Sequence, residues 1–358
     1  MTDPTYLLDL AFPQLQAWLA ARGQPPYRAR QLWRQLYVNL AGDFATMTDL
    51  PAGLREQLAQ EASCRALARR EEKVAPDGLT RKGLFELPDG ERLEAVLMLY
   101  RERATVCVST QVGCAIGCPF CATGQDGFRR DLSAGEIVEQ VLYFGRLLRQ
   151  AGQDWTGVTA VTNVVLMGMG EPFANYEATW AAVERLHDPD GLNLGARRMT
   201  ISTAGLVPGI LRLAEESLPV NLAISLHAAT DALRDRLVPV NRRYPLDELF
   251  RALKAYTAKT HRRVSFEYAL IAGVNDAPDQ AHRLAARLQG FLGHVNLIPL
   301  NPIAGSEWRA PERPAMEAFR AILEQAHIPV SVRLERGVEI AAACGQLRHG
   351  RPGSGSPP

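Results

Sequence analysis

Four of the chain's six cysteines fall in one short stretch, Cys107-Val-Ser-Thr-Gln-Val-Gly-Cys114-Ala-Ile-Gly-Cys118-Pro-Phe-Cys121. Cys114, Cys118 and Cys121 form a C-x3-C-x2-C array, while Cys107 stands seven residues upstream, off that spacing. Three thiolates are one short of a tetrahedral zinc site and one short of the irons of a [4Fe–4S] cluster. The shortfall is useful in the second case, because a cluster held by three cysteines leaves one iron open to another ligand. Zinc completed by Cys107 or by a histidine is the competing arrangement. Cys107, outside the array, is expected to do different work, and Cys64 is expected to be structural.

The elements that must carry these residues alternate. Strands are expected at 104–109, 162–167, 198–203, 219–225, 263–269 and 294–299, each followed by a helical segment. The first such helix opens on Ser133-Ala-Gly-Glu136, an S-x-x-E capping box, with Ile137, Val141, Phe144 and Leu148 on one face. Six βα units in series imply a parallel sheet in an α/β fold, with lengths that suit a partial (β/α)6 barrel. Chemistry in such folds gathers where strands end. The cysteine array follows the first strand, Gly168-Met-Gly-Glu-Pro172 the second, Ser202-Thr203 the third, Ser225-Leu-His227 the fourth and Asn301 the sixth. That agreement groups these loops around one site.

Ahead of the alternation, residues 1–70 read as a small helical domain, with helices from Tyr6 to Ala21, Tyr27 to Asn39 and Gly53 to Glu61. Its second helix mixes Tyr27, Arg28, Arg30, Trp33, Arg34 and Tyr37, guanidinium and aromatic groups of the kind that meet phosphates and bases; a buried Trp33 with solvated arginines is the plain alternative. Residues 71–103 form a short β extension, turning at Asp77-Gly78 and Asp89-Gly90 and including Glu94 to Tyr100 as a strand. The catalytic core is expected over 104–347, and the Gly/Pro/Ser-rich 348–358 as a disordered tail.

Net charge is +1 and only four of the 40 basic residues are lysines, so any basic surface must be local and the arginine excess reads as compositional bias. No run of eighteen apolar residues occurs and the N-terminus lacks a signal-peptide layout, so a cytoplasmic protein without membrane contact is expected. Cysteines crowded in this way do not resemble an extracellular disulfide framework.

The array, with Phe120 inside it on a loop leaving a barrel strand, resembles the signature of radical S-adenosylmethionine (SAM) enzymes. Further motifs narrow the likeness: PPYRARQLW, MTDLPAGLRE, RATVCVSTQVGCAIGCPFCATGQDGF, NVVLMGMGEP, ISTAG, LAISLHA, VNLIPLNP and RGVEIAAACGQL occur in order. The chain thus resembles, over nearly its whole length, the RlmN family of adenine-C2 RNA methyltransferases acting on 23S rRNA and tRNA. Departures are Arg130-Asp131-Leu132, where the family usually shows Arg-Asn-Leu, and a longer Gly-rich stretch around Gly145 to Gly157.

The resemblance implies that Cys114, Cys118 and Cys121 bind one [4Fe–4S] cluster per chain, whose open iron chelates SAM. Gly170 and Glu171 would meet the SAM amino group, while Ser202, Ser225, Leu226, His227 and Asn301 would hold its ribose, adenine and methionine parts. It further implies two SAM molecules per turnover. One methylates Cys344; the other yields a radical that takes hydrogen from the S-methyl group, so that a methylene carbon adds to the electron-poor adenine C2. Glu94 would accept the C2 proton, and Cys107 would release the RNA by forming a disulfide with Cys344. The implied product is 2-methyladenosine, at the peptidyl transferase centre of 23S rRNA and in the tRNA anticodon loop. A flavodoxin- or ferredoxin-type donor and a monomeric enzyme are also expected. Two rivals stay open: methylation at adenine C8 with the same two cysteines, and a non-catalytic, metal-stabilised RNA-binding protein.

Overall fold

A computed structural model of the chain describes residues 4–152, 155, 157–333 and 336–348. The tail expected over 348–358 lies, apart from Arg348, outside the described residues.

One ten-stranded sheet organises the molecule: β1 Ala68–Val74, β2 Thr80–Glu86, β3 Arg92–Tyr100, β4 Arg103–Cys107, β5 Asn163–Leu166, β6 Met199–Thr203, β7 Asn221–Ser225, β8 Val264–Leu270, β9 Gly293–Pro299 and β10 Val330–Val332. Neighbours in space follow sequence order from β10 to β1. From β4 to β10 every pairing is parallel, while β1 to β4 pair antiparallel. The six expected strands are β4 to β9, each within about two residues of its expected bounds. A seventh parallel strand, β10, is too short for periodicity to reveal. The β extension continues this same sheet, with β3 hydrogen-bonded to β4. No pairing closes the sheet among the described residues.

The central strands read as nearly continuous apolar runs because both faces are covered: Leu222, Ala223 and Ile224 of β7 are all fully buried. The helix Ala134–Ala151 starts where its capping box requires, with Ser133 Oγ accepting from Glu136 N at 3.1 Å and Glu136 Oε2 accepting from Ser133 N at 2.9 Å. Gly145 lies inside this helix, so the Gly-rich departure is in part an ordinary helical segment.

Helices Phe12–Ala20, Tyr27–Tyr37 and Ala52–Glu61 form the N-terminal region. The first helix is shorter than expected: Tyr6 pairs with Ser63 in a two-residue strand, Leu7–Asp9 forms a 3-10 turn, and the α-helix starts only at Phe12 with Pro13 in its first turn. The Tyr6 hydroxyl donates to Glu139 Oε2 at 2.6 Å, and the Arg185 guanidinium donates to the Leu8 and Asp9 carbonyls. These contacts dock the helices on the core. Trp33 is buried, with its ring 4.3 Å from Tyr37 and 5.5 Å from Phe12. The plain alternative therefore holds for Trp33, and the exposed aromatic of that helix is Tyr27. Cys64 is buried in the same core, where burial pushes its thiol up to about 11.

Candidate active site

Where β4 ends, the chain does not turn at once into a helix. Residues 108–111 run on against 167–171, with Gly168 N donating to Val108 O at 3.0 Å, Thr110 N to Met169 O at 2.8 Å and Glu171 N to Gln111 Oε1 at 2.8 Å. Gly170 sits at φ +100°, and a Cβ there would lie 2.6 Å from Gln111 Cβ, so only glycine allows this approach. A short hairpin follows, Gln111–Gly113 pairing with Phe128–Asp131, and its loop presents the three-cysteine array. At Gly113 (φ +74°) a Cβ would fall 1.8 Å from Gly127 O, which makes glycine the only residue compatible with the neck of this loop.

Five of the six cysteines line a single cavity at these strand ends: Cys107, Cys114, Cys118, Cys121 and Cys344. Of the other residues singled out in the sequence, Gly170, Glu171, Ser202, Ser225, His227 and Asn301 also line it. Two do not. Leu226 is fully buried, its N–H donating to Glu267 O at 2.9 Å. Glu94 lies behind the segment that carries Cys344, ion-paired at 2.8 Å with Lys82, and accepts from Arg348 N at 2.9 Å.

Burial dominates the electrostatics. It pushes the Cys114 and Cys107 thiols up to about 12 and raises Cys118 and Cys121 as well. Thiolates in such a place need a cationic group to hold them. Among the described residues no three His, Cys, Asp or Glu side chains converge to hold a single metal ion. Three thiols lining one cavity, one short of a tetrahedral set, suit an iron–sulfur cluster that keeps one iron open.

Other donors fit a cationic, polar organic ligand. Glu171 accepts from Ala204 N at 2.7 Å and from Phe173 N at 3.0 Å, yet burial still pushes its carboxyl up to about 7. A ligand ammonium beside it would restore the anion. His227 Nδ1 accepts from Ala269 N at 3.0 Å, which fixes the proton on Nε2, and burial pulls the ring down to about 3, so it is a neutral donor. Asn301 Nδ2 donates to Cys344 O at 3.1 Å, leaving Oδ1 buried with no partner in the protein. Ser202 and Ser225 hydroxyls, 3.4 Å apart, line the same side. This donor set, with its orphaned acceptor and its carboxylate awaiting a cation, fits SAM beside an iron–sulfur group.

Three charged groups escaped the sequence analysis. Glu267, opposite Ser225 in the β7–β8 register, lines the cavity with Oε1 accepting from Asn296 at 3.1 Å and Oε2 unpartnered. Arg333, just beyond β10, is held firmly charged, first by Cys344 and then by Glu267 and Cys107. Lys82 belongs to an edge hairpin that reads as surface. Of these, only Glu267 could have been found, as a carboxylate inside an otherwise apolar parallel strand.

Comparison with known proteins agrees with this geometry. Residues 108–285 match the radical SAM superfamily, and residues 5–64 match the ribosomal RNA large subunit methyltransferase N-terminal domain. A probable dual-specificity RNA methyltransferase RlmN from Chloroflexus aurantiacus is 55% identical, covering 97% of this chain and 94% of that protein. Dual-specificity RNA methyltransferase RlmN 1 from Myxococcus xanthus is 48% identical, covering 96% and 94%. The crystal structure of a radical SAM methyltransferase from Sphaerobacter thermophilus superposes with a TM-score of 0.93 at 52% identity, covering 96% of this chain and 99% of that one.

Proposed function

The chain belongs to the RlmN family of dual-specificity RNA methyltransferases in the radical SAM superfamily, and from that premise we propose that it makes 2-methyladenosine in 23S rRNA, at the peptidyl transferase centre, and in the tRNA anticodon loop. The family implies a [4Fe–4S] cluster, SAM and an RNA substrate. In this reading Cys114, Cys118 and Cys121 hold one cluster per chain. Gly170, Glu171, Ser202, Ser225, His227 and Asn301 hold SAM, with the backbone at Leu226 completing that strand end. When bound, the cluster would supply the electron that splits SAM, generating the radical that removes hydrogen from an S-methyl group.

The remaining work falls to this chain's own side chains. Cys344 takes a methyl group from a first SAM and carries it as a thioether, so two SAM molecules are consumed per turnover. Its methylene carbon, once activated, bonds to C2; the odd electron this leaves on the ring would be taken up by the oxidised cluster, when bound, and the C2 proton passes to Glu94. Cys107 then attacks the Cys344 sulfur. A disulfide forms, the sulfur–carbon bond breaks, and the carbon takes a proton to become the methyl group of the product. Arg333 lines the same cavity, and its positive charge opposes the upward shift of the Cys107 thiol. The exposed Arg30 and Arg34 on the helix Tyr27–Tyr37 would meet RNA phosphates. A flavodoxin- or ferredoxin-type donor supplies electrons to a monomer in the cytoplasm; among the described residues no helix is long and apolar enough to cross a membrane.

The observation that carries this reading is the convergence of Cys107 and Cys344 on the cavity that already holds the three-cysteine array. To test it, rRNA and tRNA lacking the modification are incubated anaerobically with reconstituted protein, SAM and reductant, and the nucleosides are resolved by mass spectrometry. 2-Methyladenosine supports the proposal. 8-Methyladenosine would assign the same chemistry to the other ring carbon, and unmodified RNA with no SAM cleavage would leave a metal-stabilised RNA-binding protein.

A further inference from the structure

Lys82 is one of four lysines in the chain, and it is 6% exposed. It lies on β2, diagonally across from Glu94 on β3, where Leu84 is the residue directly opposite. Its Nζ is 2.8 Å from Glu94 Oε1 and donates to the carbonyl of Ala341 at 2.9 Å. Glu94 Oε2 accepts from the backbone N–H of Arg348 at 2.9 Å. The pair therefore grips the segment 341–348 near both ends, and Cys344 lies between the two grips. An ion pair this dry is costly to bury and is a poor source of stability compared with apolar packing. Its retention calls for another explanation.

We propose that Lys82 is a positioning residue for the methyl transfer: it compensates the Glu94 carboxylate and ties it to the Cys344 segment, so that proton acceptor and methyl-carrying sulfur are set as one unit. This rests on the reading of Glu94 as the acceptor. In that step the C2–H bond breaks, its electron pair stays in the ring, and the proton forms an O–H bond on Glu94. A carboxyl that is already protonated has no place for it. The groups facing Glu94 are Lys82 from β2, the Arg348 N–H from the C-terminal segment and, at longer range, Lys73 from β1. Burial favours the neutral carboxyl, and Lys82 is the main group working against it.

The test uses full-length reconstituted enzyme carrying Lys82→Gln, Lys82→Met, Lys82→Arg or Glu94→Gln, with bound iron, SAM cleavage and RNA methylation measured together across pH. Lys82→Gln and Lys82→Met should keep iron and cleave SAM, while methylated RNA per SAM cleaved falls about 100-fold at neutral pH. In both, raising the pH should recover product, because the uncompensated Glu94 then ionises. Lys82→Arg should keep near-normal coupling. Two outcomes overturn the proposal: coupling and pH profile unchanged in the Gln and Met variants, or iron, cleavage and methylation falling in proportion in both, as for a merely structural lysine. Full methylation by Glu94→Gln would instead remove Glu94 as acceptor, a separate failure of the underlying reading.

Discussion

The two walls of the cavity are built on different principles. The wall carrying the three-cysteine array is fixed by backbone: peptide hydrogen bonds join residues 108–111 to 167–171, and glycines at 113 and 170 let the chains approach closer than any side chain would allow. The adjoining wall, residues 341–347, abuts the end of the array, with Ala122 N donating to Gly345 O at 2.7 Å, and is otherwise attached by side chains over long sequence separations. Thr123 Oγ donates to Leu347 O at 2.7 Å, Gln346 Nε2 to Pro302 O at 2.7 Å, Asn301 Nδ2 to Cys344 O at 3.1 Å and Lys82 Nζ to Ala341 O at 2.9 Å. The first wall suits a group that must not move. The second, held mainly by side chains, carries the Cys344 sulfur to which the proposed reaction gives the methyl group.

Breaking the rigid wall should cost most. Cys118→Ala removes one of three thiols from an already incomplete ligand set, so iron, acid-labile sulfide and SAM cleavage should fall to background while circular dichroism stays native. Iron content at the wild-type level would remove the array from the cluster assignment.

Next in size is Asn301, which lines the cavity and carries a buried oxygen without a partner in the protein. Asn301→Ala should weaken SAM binding by about 1–3 kcal/mol, roughly 5- to 150-fold in the dissociation constant. Calorimetric titration of the reconstituted protein measures this directly, and an unchanged affinity means that Oδ1 does not meet SAM.

The Cys107 thiol, raised to about 12, should be mostly protonated near neutrality and react slowly. Its alkylation by iodoacetamide should accelerate as pH rises above neutrality, towards that value. Arg333→Met removes the cation that opposes the shift, so at a fixed pH near 8 the rate should fall several-fold further. Peptide mass spectrometry at timed intervals measures the rate, and a rate unchanged by Arg333→Met would show that this guanidinium does not favour the Cys107 thiolate.

The smallest effect should come from the wall held by side chains. Gln346→Ala removes the latch to Pro302, so amide exchange over 341–347 should quicken a few-fold, about 1 kcal/mol, with iron content unchanged. Equally faster exchange at residues 108–111 and 167–171 would contradict the distinction between the two walls.

The same division explains what the sequence revealed. Strands β4 to β9 and the strand-end loops were legible because apolar runs and local motifs encode them within a few residues. Glu94, Lys82 and Arg333 carry no local signal: a lysine on an edge hairpin reads as solvated until a segment more than 250 residues away covers it. β10 was hidden because three residues give no period, and the first helix came out shorter because its apolar pattern runs back through a 3-10 turn at Leu7–Asp9, while the α-helix itself starts at Phe12 with Pro13 in its first turn. Trp33 sits at a helical position equally suited to a core or an RNA face, and only packing against Phe12 and Tyr37 decided between them.

The central claim, that Cys344 carries the methyl group and Cys107 releases it, is tested most directly by isolating Cys107→Ala after turnover with RNA. This variant can still be methylated on Cys344 and attack the base, but it cannot break the resulting link. A nuclease-trimmed oligonucleotide should therefore be found by mass spectrometry on the Cys344 peptide, and it should be absent from the Cys107→Ala/Cys344→Ala double variant. Free methylated RNA from Cys107→Ala, with no trapped nucleotide, would contradict the account.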